Sequence, residues 1–379
     1  VIKLKYPTVV ILLDALGYSV TERFGFSPGG LPHTIRMRTV PGFSQPALTS
    51  IFTGLPPDRH ELWMMYSFSK DRSPFRWLSI IPENVPENRL WLKRLIDWKL
   101  RSIDNVKSYY SLYNIPRNVL RYLDLPAKGN LFVPGGVERV NTVIDELAQR
   151  GSRIFVRDYH TPEVSAFEQL EEALVKEEAD FYLLYTAELD ADLHKYGTRH
   201  ENIDAHLKWY SERLEALLSI NKNIRLLVFG DHGMCQVSDT IDIKDKIESL
   251  GLRIPEDYIP FYDSTLARFK VYSKKAEREI TDILSDLQSG TILDDIEKQK
   301  LGIYFADNEY GDIIFLLNAG KIILPSYMSE SPVAGMHGYH PDNECMYSSM
   351  FSNVDFKVSD GSIMDIADFI LPGFISGKR

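Results

Sequence analysis

Residues 225–234 read RLLVFGDHGM, an apolar run that stops abruptly at Gly230, Asp231, His232 and Gly233. A strand buried on both faces shows such a continuous run, and in open α/β sheets ligands gather beyond the carboxyl ends of the strands. The acid and the imidazole therefore belong at a strand mouth. Neighbouring strand residues point to opposite faces, so Asp231 and His232 can join one cluster only where the chain has left the strand, which the flanking glycines permit. An Asp-His turn is the plainer alternative.

Two other stretches have the same form. Pro7–Leu13, PTVVILL, stops at Asp14, and Asp180–Tyr185, DFYLLY, runs into ELDADLHKYG at 188–197. An Asp after a strand is also a common helix cap, so Asp14 gains meaning only from its company. Asp190 and His194 lie four residues apart, on one face of a helical turn, where they make either an i,i+4 pair or two ligands of one ion. In TVPGFSQPALTSIFTGL, residues 39–55, Pro41 and Gly42 break the chain, Ser44 stands at an N-cap and Pro46 suits the first helical turn. Exposed N–H groups and the helix dipole favour an anion there, so Ser44 is either a capping serine or a hydroxyl placed to carry a phosphoryl group.

Helices are expected at 135–151, 162–178 and 201–220, with a short strand at 153–156 between the first two. Alternation of strand and helix predicts a doubly wound, mostly parallel sheet with helices on both faces. Residues 60–130, rich in Trp, Tyr and Arg and broken by prolines at 74, 82, 86, 116 and 126, read as an insertion over the core. Beyond Val237 the pattern changes: strands at 264–272, 303–305 and 312–317 and a charged helix near 275–287 predict a small α+β lobe over 251–330. Residues 1–250 and 331–379 then form the two parts of a catalytic α/β core, with a closing helix at 362–371. Between lobe and helix, AGMHGYHPDN at 334–343 sets His337 in a tight loop.

Composition narrows the function. With 44% hydrophobic, 25% charged and 12% aromatic residues in 379, the chain is globular rather than disordered. A net charge of -10 without any dense Lys/Arg block excludes a nucleic-acid duplex as a large-surface partner. No run approaches the ~20 apolar residues that span a bilayer. Cys235 and Cys345 are too few for a disulfide framework or a thiolate zinc site, which favours a reducing compartment and a cytoplasmic location. No small-residue cleavage site follows the first strand, and a start at Val1 suggests a trimmed beginning. The oligomeric state is left open.

Asp14, Ser44, Asp190, His194, Asp231, His232 and His337 are thus the candidate site. Carboxylates and imidazoles without cysteine suit catalytic rather than structural zinc, and two such ions would neutralise a phosphoryl group. The strand ending at Asp14, PGFSQPALTSIFTGLPPDRH, ELDADLHKYG, FGDHGM and GMHGYHP, in that order, resemble the alkaline phosphatase superfamily, most closely its type I phosphodiesterase/nucleotide pyrophosphatase branch. The resemblance implies an alkaline phosphatase-like fold and a metal-dependent hydrolase of phosphate esters, with a small phosphorylated substrate. It also implies that Asp14, Ser44, Asp231 and His232 hold one zinc, that Asp190, His194 and His337 hold the other, and that Ser44 is the nucleophile.

Three positions depart from the branch. Ser44 stands where most relatives carry Thr, Ala47 where an Asn binds a phosphate oxygen, and Leu193 where a Gly precedes the metal-binding His. Gln45 or a backbone N–H is the substitute for the missing Asn. Ser44-Gln45-Pro46 also resembles the nucleophile block of sulfatases, but Leu48 stands where they need Arg, and the histidines argue against their calcium site. A monoesterase, a phosphotransferase or mutase, and a binding protein that has lost its chemistry complete the alternatives.

Overall fold

The computed structural model describes residues 6–69, 73–82, 89–356, 360–374 and 376; Pro86 and residues 1–5 lie outside them. The chain divides into two compact units, one built from Val1–Pro56, Leu131–Val237 and Val333–Arg379, the other from Pro57–Asn130 and Ser238–Pro332. The second unit therefore contains the expected lobe at 251–330 and joins to it the stretch expected to lie over the core.

The first unit is built on strands β1 (Thr8–Leu13), β2 (His33–Arg38), β3 (Ile154–Arg157), β4 (Phe181–Thr186), β5 (Arg225–Phe229), β6 (Cys235–Gln236), β7 (Gly335–Met336), β8 (Ser348–Ser352) and β9 (Asp360–Ser362). Seven of them form one mixed sheet in the order β9-β2-β8-β5-β1-β4-β3. Strands β5, β1, β4 and the edge strand β3 run parallel, and β8 closes antiparallel onto β5 and β2.

Strand period sorts the central side chains. Val9, Ile11 and Leu13 of β1 enter one apolar cluster together with Leu226 and Val228 of β5, while Val10, Leu12, Leu227 and Phe229 enter another on the opposite face. Helices α4 (Glu163–Val175), α5 (Glu188–Tyr196) and α6 (Glu201–Ile220) cover the first face; α2 (Ser44–Thr53), α3 (Val143–Gln149) and α7 (Ile366–Ile370) cover the second, and α1 (Tyr18–Phe24) adds Val20 to the first. This is the doubly wound architecture that the apolar runs predict.

Some elements are shorter than expected. The helix expected over 135–151 begins only at Val143, because Thr142 caps it with a capping box in which Asp145 Oδ2 accepts from the Thr142 N–H at 2.7 Å. Asp145 also accepts from the N–H of Gly135 at 2.6 Å, which holds the preceding segment as a loop. Residues 303–305 form no strand, since the Ile303 N–H returns to Lys298 to end a helix.

In the second unit, Tyr258–Tyr262, Leu266–Val271, Ile313–Leu317 and Gly290–Ile292 form a four-stranded antiparallel sheet. Lys274–Asp286 is a helix capped by Ser273 that buries Ala276, Ile280 and Leu284. The sheet buries a charge at Arg268, whose guanidinium donates to the carbonyls of Tyr66 and Tyr310 at 3.0 and 3.2 Å and lies 4.7 Å from the centre of the Phe261 ring.

Candidate metal centre

All seven candidate residues lie in the first unit. Asp14 follows β1 directly, its N–H still bonded to the carbonyl of Thr186 at the end of β4 at 3.0 Å. β5 ends at Phe229, so Asp231 and His232 stand beyond the strand, as one cluster requires. Two glycines allow that exit by close approach: a Cβ on Gly230 would meet the backbone of Leu16 at 2.7 Å, and one on Gly233 the Cys345 carbonyl at 2.1 Å. Ala15 adopts a left-handed φ of 60°, which turns its N–H onto Asp231 Oδ1 at 3.1 Å. For a residue with a Cβ that conformation costs about 1–2 kcal/mol.

Two groups of ligand atoms converge, Asp14–Asp231–His232 and Asp190–His232–His337. His194 Nε2 lies 3.3 Å from Asp190 Oδ2 and His337 Nε2 3.7 Å from Asp190 Oδ1. The rings of His232 and His337 stack with centres 4.0 Å apart. Ser44, first residue of α2, puts its Oγ 3.1 Å from His232 Nε2 and 3.4 Å from Asp14 Oδ1. His232 thus stands within reach of both groups, a geometry the separate ligand sets implied by the resemblance do not contain.

Hydrogen bonds aim these ligands. His194 Nδ1 donates to the Gly335 carbonyl at 2.8 Å and His232 Nδ1 to the Gly233 carbonyl at 3.1 Å. A carbonyl only accepts, so each Nδ1 carries the proton and each Nε2 lone pair faces the cluster. Tyr185, the last residue of the DFYLLY run, donates its hydroxyl to Asp14 Oδ2 at 2.6 Å. Sequence reasoning missed it, although strand period puts it on the face of β4 shared with Phe181 and Leu183. Also missed was the network behind α5, in which His206 bridges Asp192 and Glu163 at 3.0 and 2.9 Å and Tyr210 donates to Glu163.

Charge at the centre is out of balance. Burial first, then the charges of Asp231 and Asp190, raise the Asp14 carboxyl well above its usual range, and burial pushes Asp231 up to about 7. Burial works against ionisation of Asp190 too, but the neighbouring His194, 3.3 Å away, and then His337 and His232 hold its pKa below the usual range. His337 is driven well below the usual imidazole value by burial and by the neighbouring His232 and His194. Asp190 Oδ1, Asp231 Oδ2 and His337 Nδ1 are buried with no hydrogen-bond partner. Buried carboxylates are seldom left so, and the donor set of carboxylate oxygens and imidazole nitrogens fits divalent cations.

The two cysteines are paired. Cys235 of β6 and Cys345 form a disulfide with their Cα atoms 5.1 Å apart, and β6 pairs antiparallel with β7, next to His337. The expectation of a reducing, cytoplasmic setting rested on reduced thiols, and the bridge withdraws that support because disulfides persist chiefly under oxidising conditions. Among the described residues no helix is long and apolar enough to cross a membrane.

Comparison with known proteins places the chain. The sequence pattern of the type I phosphodiesterase / nucleotide pyrophosphatase family matches residues 8–340, so the chain belongs to that family, within the alkaline phosphatase superfamily. It is a phosphodiesterase-family hydrolase with two clusters able to hold metals. No curated protein matches the chain.

Among solved structures, murine ectonucleotide pyrophosphatase / phosphodiesterase 5 is similar over 96% of this chain and 94% of its own, at 15% identity and a TM-score of 0.64. An inactive form of it in complex with AMP matches over 97% and 94%, at 15% identity and a TM-score of 0.63. Phosphonoacetate hydrolase from Sinorhizobium meliloti 1021, in complex with phosphonoformate, matches over 97% and 95%, at 13% identity and a TM-score of 0.62. At these identities the likeness is one of fold.

Proposed function

We infer that the chain hydrolyses a phosphate ester, preferring a phosphodiester or pyrophosphate-type bond, through a covalent phosphoseryl intermediate on Ser44. The observation that carries this reading is the position of Ser44 Oγ, 3.1 Å from His232 and 3.4 Å from Asp14 at the start of α2. A hydroxyl beside a strong acceptor set and at a helix N-terminus is placed both to lose its proton and to bear an anion. The AMP bound to the inactive murine protein supports a small phosphorylated ligand.

Asp14, Ser44, Asp231 and His232 would hold one ion and Asp190, His194 and His337 the other, with His232 in reach of both groups. The donor set favours zinc over calcium. Two bound cations would neutralise the phosphoryl oxygens and lower the pKa of the attacking hydroxyl. The residues do the rest. Ser44 loses its proton, its Oγ bonds to phosphorus, and the bond to the leaving oxygen breaks with its electron pair, that oxygen taking up a proton. Water then bonds to phosphorus, the Ser44–phosphorus bond breaks and Ser44 regains its proton.

Gln45 supplies the oxygen-binding group that Ala47 lacks. Its Oε1 is buried without a hydrogen-bond partner, and half a turn of the carboxamide puts a donor in the same place. Tyr185 and the Gly335 and Gly233 carbonyls are positioning groups that hold the ligand atoms of Asp14, His194 and His232.

Ser44→Ala tests the reading. Turnover of an aryl phosphodiester by zinc-loaded protein should fall by about 10³-fold or more, with metal content by elemental analysis unchanged. Full activity in that variant removes the nucleophile. Chelation should abolish turnover and zinc restore it; activity indifferent to chelator removes the metal reading. Relative rates on monoesters, diesters, nucleotides and sulfate esters then fix the substrate class, and product transfer to an added alcohol would mark a transferase.

A further inference from the structure

Exposed apolar side chains are unevenly spread. Of the thirteen large hydrophobic residues exposed among the described residues, seven fall between positions 80 and 109 of the second unit: Ile80, Leu90, Trp91, Leu95, Trp98, Ile103 and Tyr109. Four of these lie on one helix, Leu90–Ser102, and two are tryptophans.

That helix has two apolar stripes. Leu92, Ile96 and Leu100 recur every four residues and are buried in the unit. On the other side, Trp91, Leu95 and Trp98 follow the i, i+4, i+7 spacing of a second stripe, yet Trp91 is 50% exposed, Leu95 38% and Trp98 55%. A helix that faces only its own core needs one stripe. The second, about 10 Å from Trp91 to Trp98 at helical rise, has no function in the fold of this unit.

Charge identifies what the second stripe meets. Residues 89–101 carry Arg89, Lys93, Arg94, Lys99 and Arg101 against one acid, Asp97, in a chain whose net charge is -10. At 100° per residue Arg94 and Arg101 fall on one flank of the stripe and Lys99 on the other. Arg94 is exposed, whereas Lys99 is held by Asp104 at 2.6 Å and Arg101 donates to the carbonyls of Val106 and Ser108, so the last two also fix the helix end. Tryptophan and leucine between cations is the pattern of a helix lying in a membrane interface, where indole rings settle at the headgroup level and cations meet anionic lipid. A second copy of the chain fits less well, because a two-fold contact on this stripe would bring the cationic flanks against each other with Asp97 as the one acid.

We propose that the helix Leu90–Ser102 docks this protein on an anionic lipid surface, with Trp91, Leu95 and Trp98 entering the interface and Arg94 meeting the headgroups. The acidic remainder of the molecule is repelled by the same surface, so attachment is local and reversible. It is independent of the reaction assigned to Ser44.

Co-sedimentation of the full chain with phosphatidylcholine vesicles, with and without phosphatidylglycerol, tests this. Binding is expected to the phosphatidylglycerol vesicles, with a blue shift in tryptophan emission, and to weaken as salt rises. Arg94→Glu should lower that binding by about fivefold or more, since each cation near an anionic bilayer contributes roughly fivefold. Trp91→Ala, Leu95→Ala and Trp98→Ala together should abolish it, while thermal unfolding and turnover of a soluble aryl phosphodiester stay as in the parent. No binding to either vesicle overturns the proposal. So does binding that these variants leave unchanged, or a dimer in solution that the triple variant dissociates in the absence of any vesicle binding.

Discussion

Both units bury charge, and they do so to opposite ends. In the second unit the buried Arg268 faces the acid Asp263, and two backbone carbonyls and the Phe261 ring take up its guanidinium. Burial lowers Arg268 to about 10 and raises Asp263 to about 6, each partly restored by the other's charge. His60 shows another solution in the same unit: burial drives it down to about 3, so it stays neutral. In the first unit Asp14, Asp190 and Asp231 converge with like charge. A buried charge beside its opposite is a structural element, whereas buried like charges facing one another are an arrangement that a bound cation would neutralise.

Four measurements can break or sharpen that contrast. Arg268→Ala strips Asp263 of its countercharge and should destabilise the protein by about 3–5 kcal/mol, read from chemical denaturation; a near-neutral result would dissolve the distinction. His60 has a folded pKa below its unfolded one, so the unfolded chain takes up a proton first as pH falls. Its contribution is complete above about 6.5 and lost between there and about 3. The resulting fall is about 5 kcal/mol at most, and His60→Gln should flatten the stability curve over that window.

The next effect has the other sign. Asp231→Asn keeps the oxygen that accepts from Ala15 and His232 but removes a like charge, so metal-free protein should gain about 2 kcal/mol in stability while elemental analysis finds less metal. Loss of stability without metal would show Asp231 to be a structural acid. Smallest is Ala15→Gly, which relieves a left-handed residue beside the site and should raise the melting temperature by the equivalent of about 1 kcal/mol, with turnover retained.

The sheet was legible because its central strands are buried on both faces, which leaves unbroken runs such as VVILL and LLVF ending at Asp14 and at Gly230. Asp14, Asp231 and His232 stood out for the same reason, since they follow strand ends. What the sequence did not reveal is non-local. Nothing in a stretch such as STLARFKVY separates a buried Arg268 from a solvent-facing one, because its partners Tyr66 and Tyr310 lie 202 and 42 residues away. Cys235 and Cys345 are 110 residues apart, and they are brought together by contacts between loops, such as the Gly233 N–H on the Met346 carbonyl at 2.9 Å. The helix at 143–149 was overdrawn because apolar spacing continues past the point where Thr142 and Asp145 stop the ladder.

The antiparallel pair β6 and β7, with the Val237 N–H on the Ala334 carbonyl at 2.9 Å and the cystine beside them, brings together the two points at which residues 238–332 leave and rejoin the first unit. A segment anchored at one doorway can be lengthened, trimmed or exchanged without re-registering the strands that carry the chemistry. Changes of length in that insert end at the cystine-braced exit, so the sheet that bears the candidate ligands keeps its order.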